Sequence, residues 1–382
     1  MLIRAVAIRE RLVVTQPDAF ESDLALSLHN LGTVYRALGK QEDARESFVR
    51  AADIRERLAQ KHPDTHRPLF ASSLYALSVA NGALGKSEDA LAIAVRANEI
   101  YQQLANQSPN LFEANLAVRL KNLSDCNGAL GKWEDALRAA EQAAEIHGRL
   151  ATQDPDTFEP ELAVSLHALS VCFAGGGRNQ EALGAAERAA EAYERLAKRN
   201  PVTFEPHLAW SLDVLAISFG QVQSYEEALL ASEHALRIYA RLAEQDPVAN
   251  EPRLASSLTH LCNWNAQLGR PEEAQHAARR ASELYDRLAK QKPDIFVPEF
   301  ARSLGELASV LWETDRSEAV NALRTGIGAL RNNFLRQPEA SADLMADLLN
   351  DYEGTCGELG REPDPDLVTP IIQALERITT EE

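Results

Sequence analysis

The sequence predicts an all-α protein, an α-α superhelix in which helical hairpins stack as a solenoid. Three observations predict it. First, prolines recur at a fixed step: Pro17, Pro63, Pro109, Pro155, Pro201, Pro247 and Pro293 are each 46 residues apart, and Pro338 follows after 45. Second, two apolar columns keep the same beat: Ala25, Ala71, Ala117, Ala163, Ala209, Ala255, Ala301, and Leu28, Leu74, Leu120, Leu166, Leu212, Leu258, Leu304. A repeat of this length marks one supersecondary unit stacked on its neighbours. Third, the apolar spacing inside a unit is helical rather than alternating.

Within the first full unit, Leu24, Leu28, Leu31 and Tyr35 lie on one helical face. Gly39 ends that helix, as a residue suited to positive φ. Ala44, Phe48, Ala51, Ile54 and Leu58 form the face of a second helix that closes near the next proline. Each unit therefore reads as a first helix of about 16 residues, a tight turn, a second helix of about 20 and a short proline linker. The chain divides into residues 1–16, a half-repeat holding a second helix only; residues 17–337, seven repeats; and residues 338–382, a degenerate repeat with a closing helix.

Leu28, Leu31, Gly32, Tyr35, Ala44, Phe48 and Ala51 stand at the spacing of the tetratricopeptide repeat (TPR) signature, and the chain resembles that family over residues 1 to about 336. The usual repeat has about 34 residues, so this one carries about a dozen more and is similar to the longer repeats of kinesin light chains. It is also similar to repeat blocks of large bacterial and fungal signalling proteins, which often sit beside an NTPase or a caspase-like protease domain. The resemblance implies first helices lining a concave, partner-binding side.

The two ends differ. "AVAIRERLVVTQPD" (5–18) aligns with "AADIRERLAQKHPD" (51–64), so the chain opens inside a second helix. Its apolar residues Ile3, Val6, Ala7, Ile8 and Leu12 fit either a fragment of a longer protein or an end that docks, self-association through Ile3, Val6, Ile8 and Leu12 included. At the other end Leu349, Tyr352 and Gly360 stay in frame, and Ile371, Ile372, Leu375 and Ile378 mark one side of a last helix suited to a cap.

The formal net charge is −18. Part of it is structural: Glu42/Asp43, Glu88/Asp89, Glu134/Asp135, Glu226/Glu227 and Glu272/Glu273 fall in the first turn of second helices, where they complement the helix dipole. No basic stripe exists to neutralise phosphates, so nucleic acid is not expected as a partner. No apolar run has the length of a membrane span, so no membrane partner is expected either. The four cysteines, Cys126, Cys172, Cys262 and Cys356, form no C-x-x-C pair and read as small buried residues of a cytoplasmic, reducing environment.

Catalytic motifs are missing: no H-E-x-x-H, P-loop, G-x-S-x-G or dinucleotide fingerprint occurs. The one glycine cluster, "FAGGGRNQEA" (173–182), falls at the turn of the fourth repeat. The expectation is a non-enzyme without cofactor or metal.

The candidate binding residues lie in the first-helix columns that face away from the core. They are His29, Asn30, Thr33 and Arg36, then Tyr75, Lys121, Asn122, Asp125, His167, Trp210, Asp213, Asn263 and Trp312. These columns vary while the core columns do not; a custom binding surface and drift at exposed positions both produce that contrast. Trp210 and Trp312 replace smaller residues and suit interface anchors. The column Arg36, Gly82, Gly128, Ala174, Gly220, Ala266, Trp312 is small in its middle, which admits either a ligand backbone or a neighbouring helix. Asn30 and Asn122 resemble the peptide-holding asparagines of kinesin-light-chain-like grooves, but the column continues Ala76, Ala168, Val214, His260, Glu306. The function these features suggest is a protein-interaction scaffold that binds a peptide or partner domain. The alternative is the sensor or regulatory arm of a larger signalling NTPase or caspase-like protease.

Overall fold

The structure, a computed structural model, describes residues 2–381; Met1 and Glu382, which belong to the outer two segments of the sequence division, lie outside the described residues. Regular structure among the described residues is helical throughout. Helix α1 (Leu2–Thr15) is followed by hairpins α2/α3 (Pro17–Ala37, Gln41–Lys61), α4/α5 (Pro63–Ala83, Ser87–Gln107), α6/α7 (Pro109–Gly128, Trp133–Gln153) and α8/α9 (Pro155–Gly175, Asn179–Arg199). Then come α10/α11 (Pro201–Gln221, Tyr225–Gln245), α12/α13 (Pro247–Gln267, Pro271–Gln291) and α14/α15 (Pro293–Leu311, Arg316–Arg336). A 3-10 turn (Pro338–Ser341), α16 (Ala342–Glu358) and α17 (Pro365–Glu381) complete the chain. It forms two compact units, Met1–Leu196 and Ala197–Glu382.

The first helices are longer than the sequence reading, 21 residues in α2, α4 and α8. The proline stretch read as a linker is their first turn. Proline at the opening position has its φ preset and lacks only an N–H that would have had no helical partner. A second proline (Pro68, Pro160, Pro206, Pro252 or Pro298) sits inside the same helices. It removes one helical hydrogen bond, but the carbonyl so released belongs to an exposed residue, such as Asp64 or Val202, and stays hydrated.

The hairpin turns share one construction. In the first, Lys40 N–H bonds Tyr35 C=O at 2.9 Å and Gly39 N–H bonds Arg36 C=O at 3.0 Å, a Schellman motif. It requires a left-handed residue, which is Gly39 (φ 74°), Gly85, Gly131, Gly177 and Gly269 in turn. Of the glycine cluster, Gly177 takes this role at φ 73°, so the cluster builds a turn. The fifth hairpin places Gln223 there at φ 61°. In the seventh the motif is gone: α14 stops at Leu311, and the Asp315 carboxylate instead caps α15 by accepting from Glu318 N–H at 2.9 Å. The missing residue of the 45-residue step lies in this turn.

Packing rests on small side chains. The Ala25 column is between 0% and 1% exposed in all seven repeats. Where the first repeat joins Gly32 to Phe48, an added Cβ would lie 2.8 Å from the ring. Later repeats replace that pair by a serine and an alanine, Ser78 with Ala94 and Ser170 with Ala186. The new hydroxyls are satisfied: Ser78 donates to Ala90 C=O and Ser170 to Ala182 C=O, each at 2.9 Å. In the second unit, α17 packs Ile371 fully into the core, with Ile372, Leu375 and Ile378 against its edge.

Six of the seven repeats also carry a surface latch between second helix and first. Arg57 pairs with Glu21 (3.3 Å), Arg149 with Glu113 (3.3 Å) and Arg195 with Glu159 (2.7 Å). The second unit repeats it as Arg241 with Glu205 (2.7 Å) and Arg287 with Glu251 (3.2 Å). In the second repeat the roles are exchanged, and Arg67 on the first helix donates to Gln103. Such half-exposed pairs each contribute less than about 1 kcal/mol, but they fix register.

Candidate functional site

Inside each unit, consecutive first helices touch: α2 with α4, α4 with α6 and α6 with α8 in one; α10 with α12, α12 with α14 and α14 with α16 in the other. Consecutive second helices make no comparable contact among the described residues. Closer spacing on the first-helix side makes that side the inner one within each unit.

In the first unit this side carries Asn30, Thr33 and Asp125 exposed and His29, Arg36, Tyr75 and Lys121 half-buried. The Thr33 hydroxyl is spent on its own helix, donating to His29 C=O at 3.1 Å. His29 packs its ring 5.4 Å from that of Phe48, and burial, with Arg55 and Arg36 nearby, holds its pKa down at about 4. Tyr75 is stacked under the Arg119 guanidinium at 4.6 Å. Lys121 and Asp125 form an ion pair of 2.7 Å. Asp125 is 48% exposed, yet desolvation raises its pKa in spite of Lys121. A carboxylate that water reaches but protein surrounds marks a concave surface. Apolar side chains are open beside these groups: Leu26, Val164 and Val171 are 48%, 39% and 47% exposed.

Asn122 and His167 are instead buried. The Asn122 amide donates to Ser78 Oγ at 3.0 Å, so it joins two repeats and is not presented as a peptide clamp. His167 is desolvated to a pKa of about 4.

In the second unit Asp213 is likewise buried and accepts from Ser257 Oγ at 3.0 Å. Asn263 is exposed, and Trp210 and Trp312 are half-buried. Trp312 sits in the shortened turn with the Arg316 guanidinium 5.0 Å over its ring. It lines a cavity of about 740 Å³ with Glu313, Asp351 and Gly354. A neighbouring cavity of about 520 Å³ holds Asn263, His260 and Glu306. The two share Ala266, Ser309 and Val310. Burial pushes the Glu306 carboxyl up, against a hydrogen bond from Thr259 and the charges of Arg302 and His260. His260 Nδ1 lies 3.9 Å from Asp213 Oδ1.

Sequence reasoning did not place His260 and Glu306 among the site residues, although they stand in the Asn30 column. The small column between Arg36 and Trp312 resolves into two cases. At Gly220, and to a lesser degree at Gly128, the room is filled by tryptophans, Trp264 and Trp133. Nothing lies within 4 Å of a Cβ at Gly82. Among the described residues no cluster of three His, Cys, Asp or Glu suited to a metal ion occurs, and no helix is long and apolar enough to cross a membrane.

These hairpins, their turns and their alanine-rich seams make the fold an all-α superhelix of tetratricopeptide-repeat type. The tetratricopeptide repeat family model matches residues 24–64. Solved structures share the fold at low identity. BtubC (BKLC) from P. vanneervenii is 20% identical, with 66% of this chain and 92% of that one covered and a TM-score of 0.53. A signal transduction ATPase with numerous domains (STAND) and a tetratricopeptide repeat sensor, from Pyrococcus horikoshii, is 16% identical, with 86% of this chain and 46% of that one covered and a TM-score of 0.58. Aspartyl phosphate phosphatase F from Bacillus subtilis is 14% identical, with 99% and 89% covered and a TM-score of 0.55. No curated protein matches the sequence.

Proposed function

We propose that the chain is a non-enzymatic interaction scaffold that holds an extended peptide or a partner domain against its first helices. The pair of adjoining cavities along α12 and α14 carries this reading. They place Asn263, His260, Glu306 and Trp312 on one open surface, mixing hydrogen-bonding groups with an aromatic anchor, as peptide sites do. The carboxylates of Glu306, Glu313 and Asp351 favour a cationic side chain on the ligand. The test is affinity capture from the native host with Trp210→Ala/Trp312→Ala beside the wild type. A partner lost by the folded variant supports the groove; a partner held equally by both overturns it.

A second reading, the sensor or regulatory arm of a larger signalling protein, has one observation in its favour. The fold extends over 86% of this chain in a protein whose repeats are described as the sensor of a signal transduction ATPase. Self-association through α1 narrows to Ile3, Ile8 and Leu12, because Val6 is buried against α2.

A further inference from the structure

The repeats act as controls on one another: a charge that only the last of them carry is not required by the fold. Two inner-side columns change in this way within the second unit. The column that begins at Asn30 carries no charge through Val214, then reads His260, Glu306 and, 45 residues on, Asp351. The column that begins at Ala37 carries none through Gln267, then reads Glu313 and Glu358. Glu306 lines the smaller of the two adjoining cavities, and Glu313, Asp351 and Glu358 line the larger. Among the described residues Glu306, Glu313 and Asp351 form no ion pair: Arg302, the cation nearest Glu306 in charge effect, is drawn to Glu299 at 3.6 Å. Burial raises the pKa of Glu306 and of Asp351, with Asp347 adding to the second. His260 Nδ1, in the same wall as Glu306, is buried without a hydrogen-bond partner.

One cation does reach this surface, and its contacts show how a guanidinium is received there. The shortened seventh turn sets Trp312 in a column that is glycine or alanine in the five repeats before it, with Arg316 one turn further on. The Arg316 guanidinium lies 5.0 Å over the Trp312 ring, its Nε donates to Trp312 C=O at 3.3 Å, and Nη1 pairs with Glu358 at 3.2 Å. An aromatic face, a carbonyl and a carboxylate are what a guanidinium from another chain would need. Arg316 is 46% exposed, and half-exposed contacts of this kind are weak enough to be exchanged.

We propose that the adjoining cavities bind a basic segment of a partner, with an arginine on Trp312 beside Glu313 and Asp351 and a second basic side chain on Glu306, and that Arg316 holds the arginine's place in the free chain. The proposal deepens the scaffold reading and rests on it. Charge complementarity selects the occupant, because three carboxylates without cations line two joined cavities. Spacing refines it. Glu306 and Trp312 are six residues apart on α14, about 9 Å along a helix axis. In an extended polyproline-type segment, side chains three residues apart lie on one side at about the same separation.

The test uses the full chain and a fluorescein-labelled peptide, Gly-Ser-Lys-Pro-Pro-Arg-Ser-Gly, read by anisotropy, with a control peptide that has glutamine in place of both bases. Saturable binding of the basic peptide is expected, about tenfold weaker for the control and for Glu306→Gln. Trp312→Leu weakens it roughly threefold, and Arg316→Gln, which frees the ring, strengthens it by a similar factor. Glu145→Gln, on the outer side of the other unit, leaves it unchanged. Circular dichroism confirms that the variants fold. Absence of binding up to roughly 1 mM, or equal binding by the control peptide, overturns the proposal. So does equal weakening by Glu145→Gln and Glu306→Gln, which reduces the attraction to net charge, and so does weaker binding by Arg316→Gln. These failures leave the scaffold reading standing as long as a captured partner depends on Trp210 and Trp312; a partner indifferent to both removes that reading whatever the peptide does.

Discussion

The indole of Trp264 lies against the Cα of Gly220, in the space where any Cβ at that position would stand. Its Nε1 donates to Ser232 Oγ at 3.0 Å, so the ring is held from both ends. Glycine is required here because a helix of the neighbouring repeat sends in its largest side chain.

Gly220→Ala should therefore destabilise the protein by about 1–3 kcal/mol, the usual cost of overpacking. Gly82→Ala, in the same column, has nothing within 4 Å of the new Cβ. It should be neutral to about 1 kcal/mol stabilising, since alanine suits a helix better than glycine. Urea unfolding of the two variants checks both signs; equal effects would show that the column is not divided by the tryptophan.

Gln223 is the one non-glycine described with positive φ, at a position where five other hairpins use glycine. An L-residue pays about 1–2 kcal/mol in this region. Gln223→Gly should raise stability by about 1 kcal/mol, the reverse of the usual glycine effect, and Gly269→Ala should lower it by a similar amount. Thermal melts of the pair decide this, and a less stable Gln223→Gly would contradict it.

His147 is buried with Nδ1 2.8 Å from Ser165 Oγ, and burial holds its pKa at about 4 against an ordinary 6.5. The unfolded chain therefore binds a proton that the folded chain refuses between those values. Stability is full above about pH 6.5 and falls as pH drops toward 4. The loss attached to this residue is on the order of 1–2 kcal/mol at pH 5. Later repeats place Tyr193, Tyr239 and Tyr285 in the same column. His147→Tyr should lose less stability than the wild type between pH 7.5 and 5, as read from urea midpoints; equal losses would exonerate His147.

All four cysteines are buried. Burial raises the thiol pKa at Cys126 and Cys172, and pushes Cys262 to about 12. Native protein at pH 8 should leave these thiols unmodified by a disulfide reagent over minutes, with four reacting once guanidinium unfolds the chain. Rapid reaction of the native form would show that the hairpins open locally.

The hairpins were legible because burial acts on every repeat alike. Ala25 and Leu28 recur because each lies in a seam that leaves no room for change, and Gly39 recurs because the turn needs its φ. The candidate site was less legible. Asn30 and Asn122 share a column, yet Asn30 is exposed while Asn122 is drawn inward by Ser78, a serine present only where Gly32 has been replaced. The proline stretch misled in another way: a residue that ends helices also opens them, and only the preceding backbone decides which.

The sequence by itself determined the repeat, its helical hairpins, the turn residues and the acidic first turns, all of which follow from local spacing and backbone chemistry. Tertiary structure alone decided which inner-face side chains stay available, that Gly220 and Gly82 differ, and that His260 and Glu306 share a cavity wall. The physical reason is range. Helix periodicity is set by neighbours three or four residues away, whereas each of these features depends on groups 36 to 46 residues apart meeting across a packed interface.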